Sequence, residues 1–184
     1  MHTEFGYEYF DDPVGLGYRG YTETGSGEGP FPWQVCLDFM ARNSLTSALD
    51  VGCAKGYLVS ELLRAGYDAT GVDVSDYALS FTNGLPCVQW NIIEPMPFTA
   101  DAVFALGVLC YVEEPTLSKV LRNLRQSTLR YLLFSTYYEG EPQDVPDPFR
   151  QVTRGERWWR NSIEEAGFVF VERTEAFDVY RTGD

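Results

Sequence analysis

The stretch LDVGCAKGYL, residues 49–58, constrains the fold more than any other part of the 184-residue chain. An apolar run from Ser47 to Val51 passes through Asp50, crosses Gly52 and Gly56, and enters a helical pattern at Tyr57. A short apolar run closed by glycine reads as a buried strand. The pattern after it reads as a helix over Tyr57–Ala65, with Leu58, Leu62 and Leu63 inward and Gly66 as its stop. Glycines between a strand and a helix let the main chain adopt unusual dihedrals and come close to a ligand.

The same alternation continues to the end of the chain. Ala69 to Val74 is a strand, and Ser75 caps a short helix carrying Ala78 and Leu79. Cys87 to Asn91 and Ala102 to Leu106 are strands. Pro115 opens an amphipathic helix with Leu117, Val120, Leu121 and Leu124 at i, i+3, i+4 and i+7, leading to the strand Tyr131 to Thr136. A helix over Glu156–Ala166 and two strands, Phe168–Glu172 and Phe177–Tyr180, close the chain. Continuous apolar strands alternating with amphipathic helices specify an α/β fold. The sheet is doubly wound and mostly parallel, covered on both faces, with an antiparallel C-terminal strand pair. Ligands of such sheets bind beyond the C-terminal strand ends, at the switch in strand order.

Residues 31–184 read as one domain beginning with a helix whose Val35, Cys36, Phe39 and Met40 share a face. Residues 1–30 read as an irregular arm. The arm's aromatics, Phe5, Tyr7, Tyr9, Phe10, Tyr18 and Tyr21, are too many for a solvated linker, so part of it is expected to pack on the body as a candidate lid over a cofactor or substrate.

The four cysteines are scattered and His2 is the one histidine, which excludes a clustered zinc site and a Ser-His-Asp triad; no metal is expected. Net charge of −13 argues against a nucleic-acid partner, and the Lys119–Arg130 and Arg150–Arg160 groups read as solvated faces. No apolar run reaches the ~20 residues that span a bilayer, and the N-terminus lacks the features of a signal peptide, so no membrane association and a cytoplasmic location are expected. Oligomeric state is not readable.

Asp73 lies 21 residues beyond Gly52, at the end of the second strand. A carboxylate there can accept both hydroxyls of a ribose. Tyr57 crowds the helix start that a pyrophosphate would need, and no G-x-x-x-x-G-K-[ST] loop exists, so a ligand with ribose but no phosphate fits better.

The chain resembles the class I S-adenosylmethionine-dependent methyltransferases. Their first motif, D/E-x-G-x-G-x-G, corresponds to Asp50-Val51-Gly52-Cys53-Ala54-Lys55-Gly56, with Ala54 for the middle glycine, a replacement expected to keep ordinary backbone dihedrals. Asp73 in GVDVS, NIIEPMPF and ADAVFALGVLCYVEEP match later motifs. The C-A-K-G core and the DPFRQVTRGERWW ending look like small bacterial members associated with surface sugars or natural products.

The resemblance implies a Rossmann-like fold and S-adenosylmethionine as cofactor, with S-adenosylhomocysteine as product. It also implies direct methyl transfer to a small-molecule substrate. Asp50 and the Gly52, Cys53, Ala54, Gly56 backbone would face the methionyl part, Asp73 the ribose, Val74 one face of adenine, Asn91 and Ile92 its edge, and Leu106 the sulfonium. Tyr111 stands where many relatives carry histidine and is the candidate for orienting or deprotonating the acceptor. In the arm, Arg19 could pair with the cofactor carboxylate, and Tyr18 and Tyr21 could shield the sulfonium. Trp158 or Trp159 could line an acceptor pocket with Tyr137 and Tyr138, under a lid formed by the loop 140–151. Two other readings stay open: a non-catalytic module binding the same cofactor, and another nucleotide-dependent enzyme.

Overall fold

The computed structural model describes residues 5–15, 17–26, 29–140 and 147–183. Its centre is a seven-stranded sheet made of β3 (Ser47–Val51), β4 (Asp68–Asp73), β5 (Cys87–Gln89), β6 (Ala100–Leu106), β7 (Thr128–Ser135), β8 (Phe168–Arg173) and β9 (Asp178–Thr182). The strand order is β5-β4-β3-β6-β7-β9-β8. The first five of these run parallel, while β9 pairs antiparallel with both β7 and β8. The switch point therefore falls between β3 and β6, where LDVGCAKGYL ends its strand.

Side-chain alternation divides the core in two. Leu49, Val51, Val103, Ala105, Leu132, Phe134 and Tyr180 face α5 (Glu114–Ser127) and α6 (Glu156–Glu165). Ala48, Ala102, Phe104, Leu133 and Val179 face α2 (Trp33–Arg42) and α3 (Tyr57–Arg64). The helices fit the expected periodicity with one correction: in α3, Val59 is fully buried and Leu63 is exposed. Val59 lies three residues before Leu62 and so shares its stripe, whereas Leu63 is five residues from Leu58 and rotates out.

The arm is more ordered than an irregular segment. It holds one helical turn, α1 (Tyr7–Phe10), and a small antiparallel ribbon of β1 (Gly25–Ser26) and β2 (Gly29–Pro30). Its rings pack against one another and against Ala54, Tyr57, Tyr77, Ala78, Tyr111 and Phe149 of the body. A four-residue helix α4 (Asp76–Leu79) follows β4, and Ser75 caps it by accepting from the Ala78 amide at 2.9 Å. The Ser75 hydroxyl also donates to the Phe5 carbonyl at 2.5 Å, so one cap closes a helix and anchors the arm. Among the described residues no helix is long and apolar enough to cross a membrane.

Candidate functional site

At the C-terminal end of β3 the main chain turns through three left-handed residues, Gly52 (φ +75°), Ala54 (φ +49°) and Gly56 (φ +76°). The amides of Gly52 and Cys53 both donate to the Val72 carbonyl, which holds the loop against β4. A methyl group added at Gly52 would lie 2.5 Å from Val108 Cγ2, and one at Gly56 would lie 3.1 Å from Cys87 Sγ. Packing by the protein itself thus accounts for both glycines, in addition to their dihedrals. Ala54 departs from expectation: it occupies the left-handed region, at a cost of about 1–2 kcal/mol, and buries its methyl group beneath the arm aromatics.

Two buried carboxylates face this turn. Asp73 accepts from the Ala54 amide at 2.7 Å and the Ser75 amide at 2.8 Å. Burial raises its pKa, while these amide bonds pull the other way. Asp50 is only 6% exposed, and no donor among the described residues bonds its carboxylate. Burial and then the charge of Asp73 push its pKa up to about 7. An unpartnered buried carboxylate is costly unless something else supplies a cation or a donor.

Lys55 is the residue that sequence reasoning missed. Its ammonium is buried and lies 2.6 and 2.7 Å from the two carboxylate oxygens of Asp11, donates to the Tyr21 carbonyl at 3.0 Å, and sits 4.5 Å from the centre of the Phe81 ring. Burial alone would raise the Asp11 pKa, but hydrogen bonds from Lys55 and Tyr77 bring it below its ordinary value. The available signal was a lysine inside a glycine turn of a chain with 14 basic and 27 acidic residues.

The other expected residues divide. Tyr21 is buried over the turn, 4.9 Å from Tyr18 and stacked on Tyr57 at 5.8 Å; burial, Tyr18 and the charges of Asp50 and Asp73 raise its pKa. Arg19 is exposed, with its Nε donating back to the Gly15 carbonyl at 3.4 Å, so here it serves the arm's own turn. Val74 is half-buried, and its carbonyl accepts from Gln89. Asn91 Oδ1 accepts from the Ile93 amide, forming a local turn. The Ile92 side chain belongs to the core, and its carbonyl accepts from Asn123. Leu106 is half-buried at the end of β6.

Beyond β6 lies a 3₁₀ turn, Leu109–Tyr111. Tyr111 accepts a hydrogen bond from the Tyr9 hydroxyl at 2.7 Å and donates to Asp147 Oδ2 at 2.7 Å. Burial, then Tyr18, Cys110 and Asp147, push its pKa well above the ordinary phenol range, so Tyr111 keeps its proton. Arg150 lies 3.8 Å over the Tyr137 ring and is nearly fully buried, so it is not part of a solvated basic face. Trp159 is fully buried in the core, and Trp158 packs edge-on against it, half-exposed. Of the candidate lid over 140–151, residues 141–146 lie outside the described residues, as does His2. The remainder is tied down by the Gln151 and Val152 amides donating to the Cys110 carbonyl.

No curated protein matches the sequence. Residues 49–129 match a family model described as a methyltransferase domain. Three solved structures illustrate the likeness of fold. Magnesium protoporphyrin IX methyltransferase (ChlM) from Synechocystis PCC 6803, with bound SAH, is 14% identical over 83% of this chain and 82% of its own, with a TM-score of 0.64. DesVI from Streptomyces venezuelae is 11% identical over 82% and 89%, with a TM-score of 0.67. A S-adenosylmethionine-dependent methyltransferase from Clostridium acetobutylicum ATCC 824 is 12% identical over 83% and 91%, also with a TM-score of 0.67. The matched domain spans the glycine turn, and the fold built around that turn is the one these solved methyltransferases share.

Proposed function

We propose that this protein binds S-adenosylmethionine at the β3–α3 turn and transfers its methyl group directly to a nucleophilic atom of a small molecule, such as a sugar or a natural-product intermediate. The observation that carries the reading is Asp50, a buried carboxylate with no donor among the described residues, beside a second buried carboxylate held by main-chain amides. A ligand bringing an ammonium and two ribose hydroxyls would satisfy both, so this donor set fits the cofactor.

Asp50 and the main chain from Gly52 to Gly56 would hold the amino-acid end. Asp73 would hold the ribose, with Val74, Asn91 and Ile92 around the base and Leu106 toward the sulfur. The arm would then close the site from above through Tyr18 and Tyr21, with Lys55 fastening it by Asp11. The bound cofactor would supply an activated methyl group, and what remains for the chain is alignment and exclusion of water. Tyr111 donates a hydrogen bond to Asp147 and accepts one from Tyr9, which fixes the direction in which its oxygen would face an acceptor hydroxyl or amine. Its role is orientation, and Asp147 is the group placed to take a proton passed through it.

Isothermal calorimetry with S-adenosylmethionine and S-adenosylhomocysteine is the decisive experiment. Saturable one-to-one binding that is lost in Asp50→Ala and Asp73→Ala variants supports the reading; no uptake of either compound rejects it. Mass-spectrometric search of a metabolite extract for a product 14 Da heavier then separates an enzyme from a binding module.

A further inference from the structure

Beneath the glycine turn, two thiols meet across a strand. Gly71 of β4 pairs with Asp50 on one side and with Cys87 of β5 on the other. A methyl group at Gly71 would lie 2.7 Å from Cys53 Sγ and 2.9 Å from Cys87 Sγ, so both sulfurs crowd the space this glycine leaves open. Cys53 reaches there because its amide is tied to the Val72 carbonyl. Cys87 Sγ also lies 3.1 Å from the point a methyl at Gly56 would occupy, so it abuts the far end of the turn as well.

We infer that Cys53 and Cys87 form a dithiol modification site, oxidised by hydrogen peroxide to a disulfide across β4 that distorts the turn above it and weakens cofactor binding. The second half of this statement rests on the cofactor reading; the first does not.

The two sulfurs differ in the way such a pair requires. Cys87 is half-buried on a three-residue strand at the sheet edge. Cys53 is buried. The neighbouring Cys53 thiol lowers the Cys87 pKa, and the Cys87 sulfur together with burial raises that of Cys53, whose own thiol points to the Ala54 carbonyl at 3.9 Å. Accessible, low-pKa thiols beside a resolving thiol are the ones that oxidise reversibly. The Cys87 thiolate attacks one peroxide oxygen and the O–O bond breaks. Hydroxide leaves, takes a proton to become water, and a sulfenic acid remains. The Cys53 sulfur then attacks that sulfenyl sulfur, the S–S bond forms, and the sulfenic oxygen leaves with the Cys53 proton as a second water. Burial pushes the Cys110 thiol up to about 12 and raises Cys36 further, which makes both poor competitors.

The disulfide would act on the site through the main chain. The Cys53 carbonyl accepts from the Gly56 amide, and the next residue, Ala54, donates to Asp73. Drawing Cys53 toward β5 pulls on both bonds.

The full chain is treated with hydrogen peroxide, digested without reduction and mapped by mass spectrometry, and S-adenosylhomocysteine affinity is measured by calorimetry before oxidation, after it, and after dithiothreitol. The expected result is a Cys53–Cys87 cross-linked peptide, at least a tenfold loss of affinity, and recovery on reduction. Cys87→Ser and Cys87→Ala are expected to bind as the reduced parent does and to keep that affinity in peroxide. Absence of the cross-link, its formation mainly with Cys36 or Cys110, or undiminished affinity in the cross-linked chain overturns the inference. A chain that binds no S-adenosylhomocysteine even when reduced rejects the cofactor reading, and the peptide map still decides the thiol pair.

Discussion

The ammonium of Lys55, in the middle of the glycine turn, is gripped by both carboxylate oxygens of Asp11 at 2.6 and 2.7 Å, which ties the N-terminal arm to the loop it covers. Tyr77 donates a further bond of 2.6 Å to Asp11 Oδ2, and the Tyr21 amide reaches Oδ1 at 3.3 Å. Removing one partner of a buried ion pair costs about 3–5 kcal/mol, because the other charge is stranded.

Asp11→Ala is therefore expected to free the arm without unfolding the body. Hydrogen exchange in residues 5–26 should accelerate strongly while the amides of β3, β6 and β7 keep their protection. If the arm caps bound cofactor, dissociation of S-adenosylhomocysteine measured by stopped flow should also quicken by tenfold or more. Unchanged exchange in the arm would mean that its aromatic packing, and not the ion pair, holds it down.

Asp73→Asn tests the second carboxylate. The amide side chain keeps one acceptor oxygen for the two main-chain donors at Ala54 and Ser75 and adds an NH₂ where a ribose hydroxyl would donate. Hydrogen bonds to charged groups contribute about 1.5–3 kcal/mol each, so S-adenosylhomocysteine affinity should drop by roughly ten- to a hundredfold. Calorimetry well below the variant's melting temperature separates this from lost stability. An affinity within a factor of three of the parent would remove Asp73 from the binding site.

Asp50 makes the site sensitive to pH. Its folded-state pKa of about 7 stands above the unfolded value, so between about pH 4 and 7 the native state holds a proton that the unfolded state has released. Its contribution to stability falls as pH rises through that window and is fully lost above it. Asp50→Asn should consequently stabilise the chain more at pH 8 than at pH 5, as read from denaturant midpoints at each pH. A ligand ammonium beside Asp50 reverses the preference, so parent affinity for S-adenosylhomocysteine should rise from pH 6 to 8 with proton release. Equal pH dependence in parent and variant would show that Asp50 titrates in the ordinary range.

The legibility of the chain follows from the range of each interaction. Strands β3, β6 and β7 could be read directly because their apolar runs are continuous, and α5 because Leu117, Val120, Leu121 and Leu124 repeat at a fixed spacing. Asp73 could be read because its place depends only on the length of one strand–helix–strand unit. Lys55 and Asp11 are 44 residues apart and form no pattern, so nothing local announces that they meet. The Tyr9–Tyr111–Asp147 chain is likewise assembled from three separate segments by tertiary packing. Gly71 was hidden for another reason: its meaning lies in the two sulfurs on neighbouring strands, and only the sheet register brings them to it.

The turn itself supports a paired test in which two substitutions of opposite sense are expected to move stability in opposite directions. Gly52→Ala puts a methyl group 2.5 Å from Val108 Cγ2 at a φ of +75°, which combines backbone strain of about 1–2 kcal/mol with overpacking of about 1–3 kcal/mol. Ala54→Gly does the reverse at a φ of +49°: the strain is relieved, while the freer unfolded chain takes back about 0.4–1 kcal/mol. The second variant should thus be as stable as the parent or up to about 1.5 kcal/mol more so, and the first several kcal/mol less so. Denaturant unfolding at constant m measures both. A clear loss in Ala54→Gly would mean that the alanine methyl, packed under Tyr9, Phe10 and Tyr21, contributes more than its dihedral costs, and that the chain keeps alanine at the middle glycine position to seat its own arm.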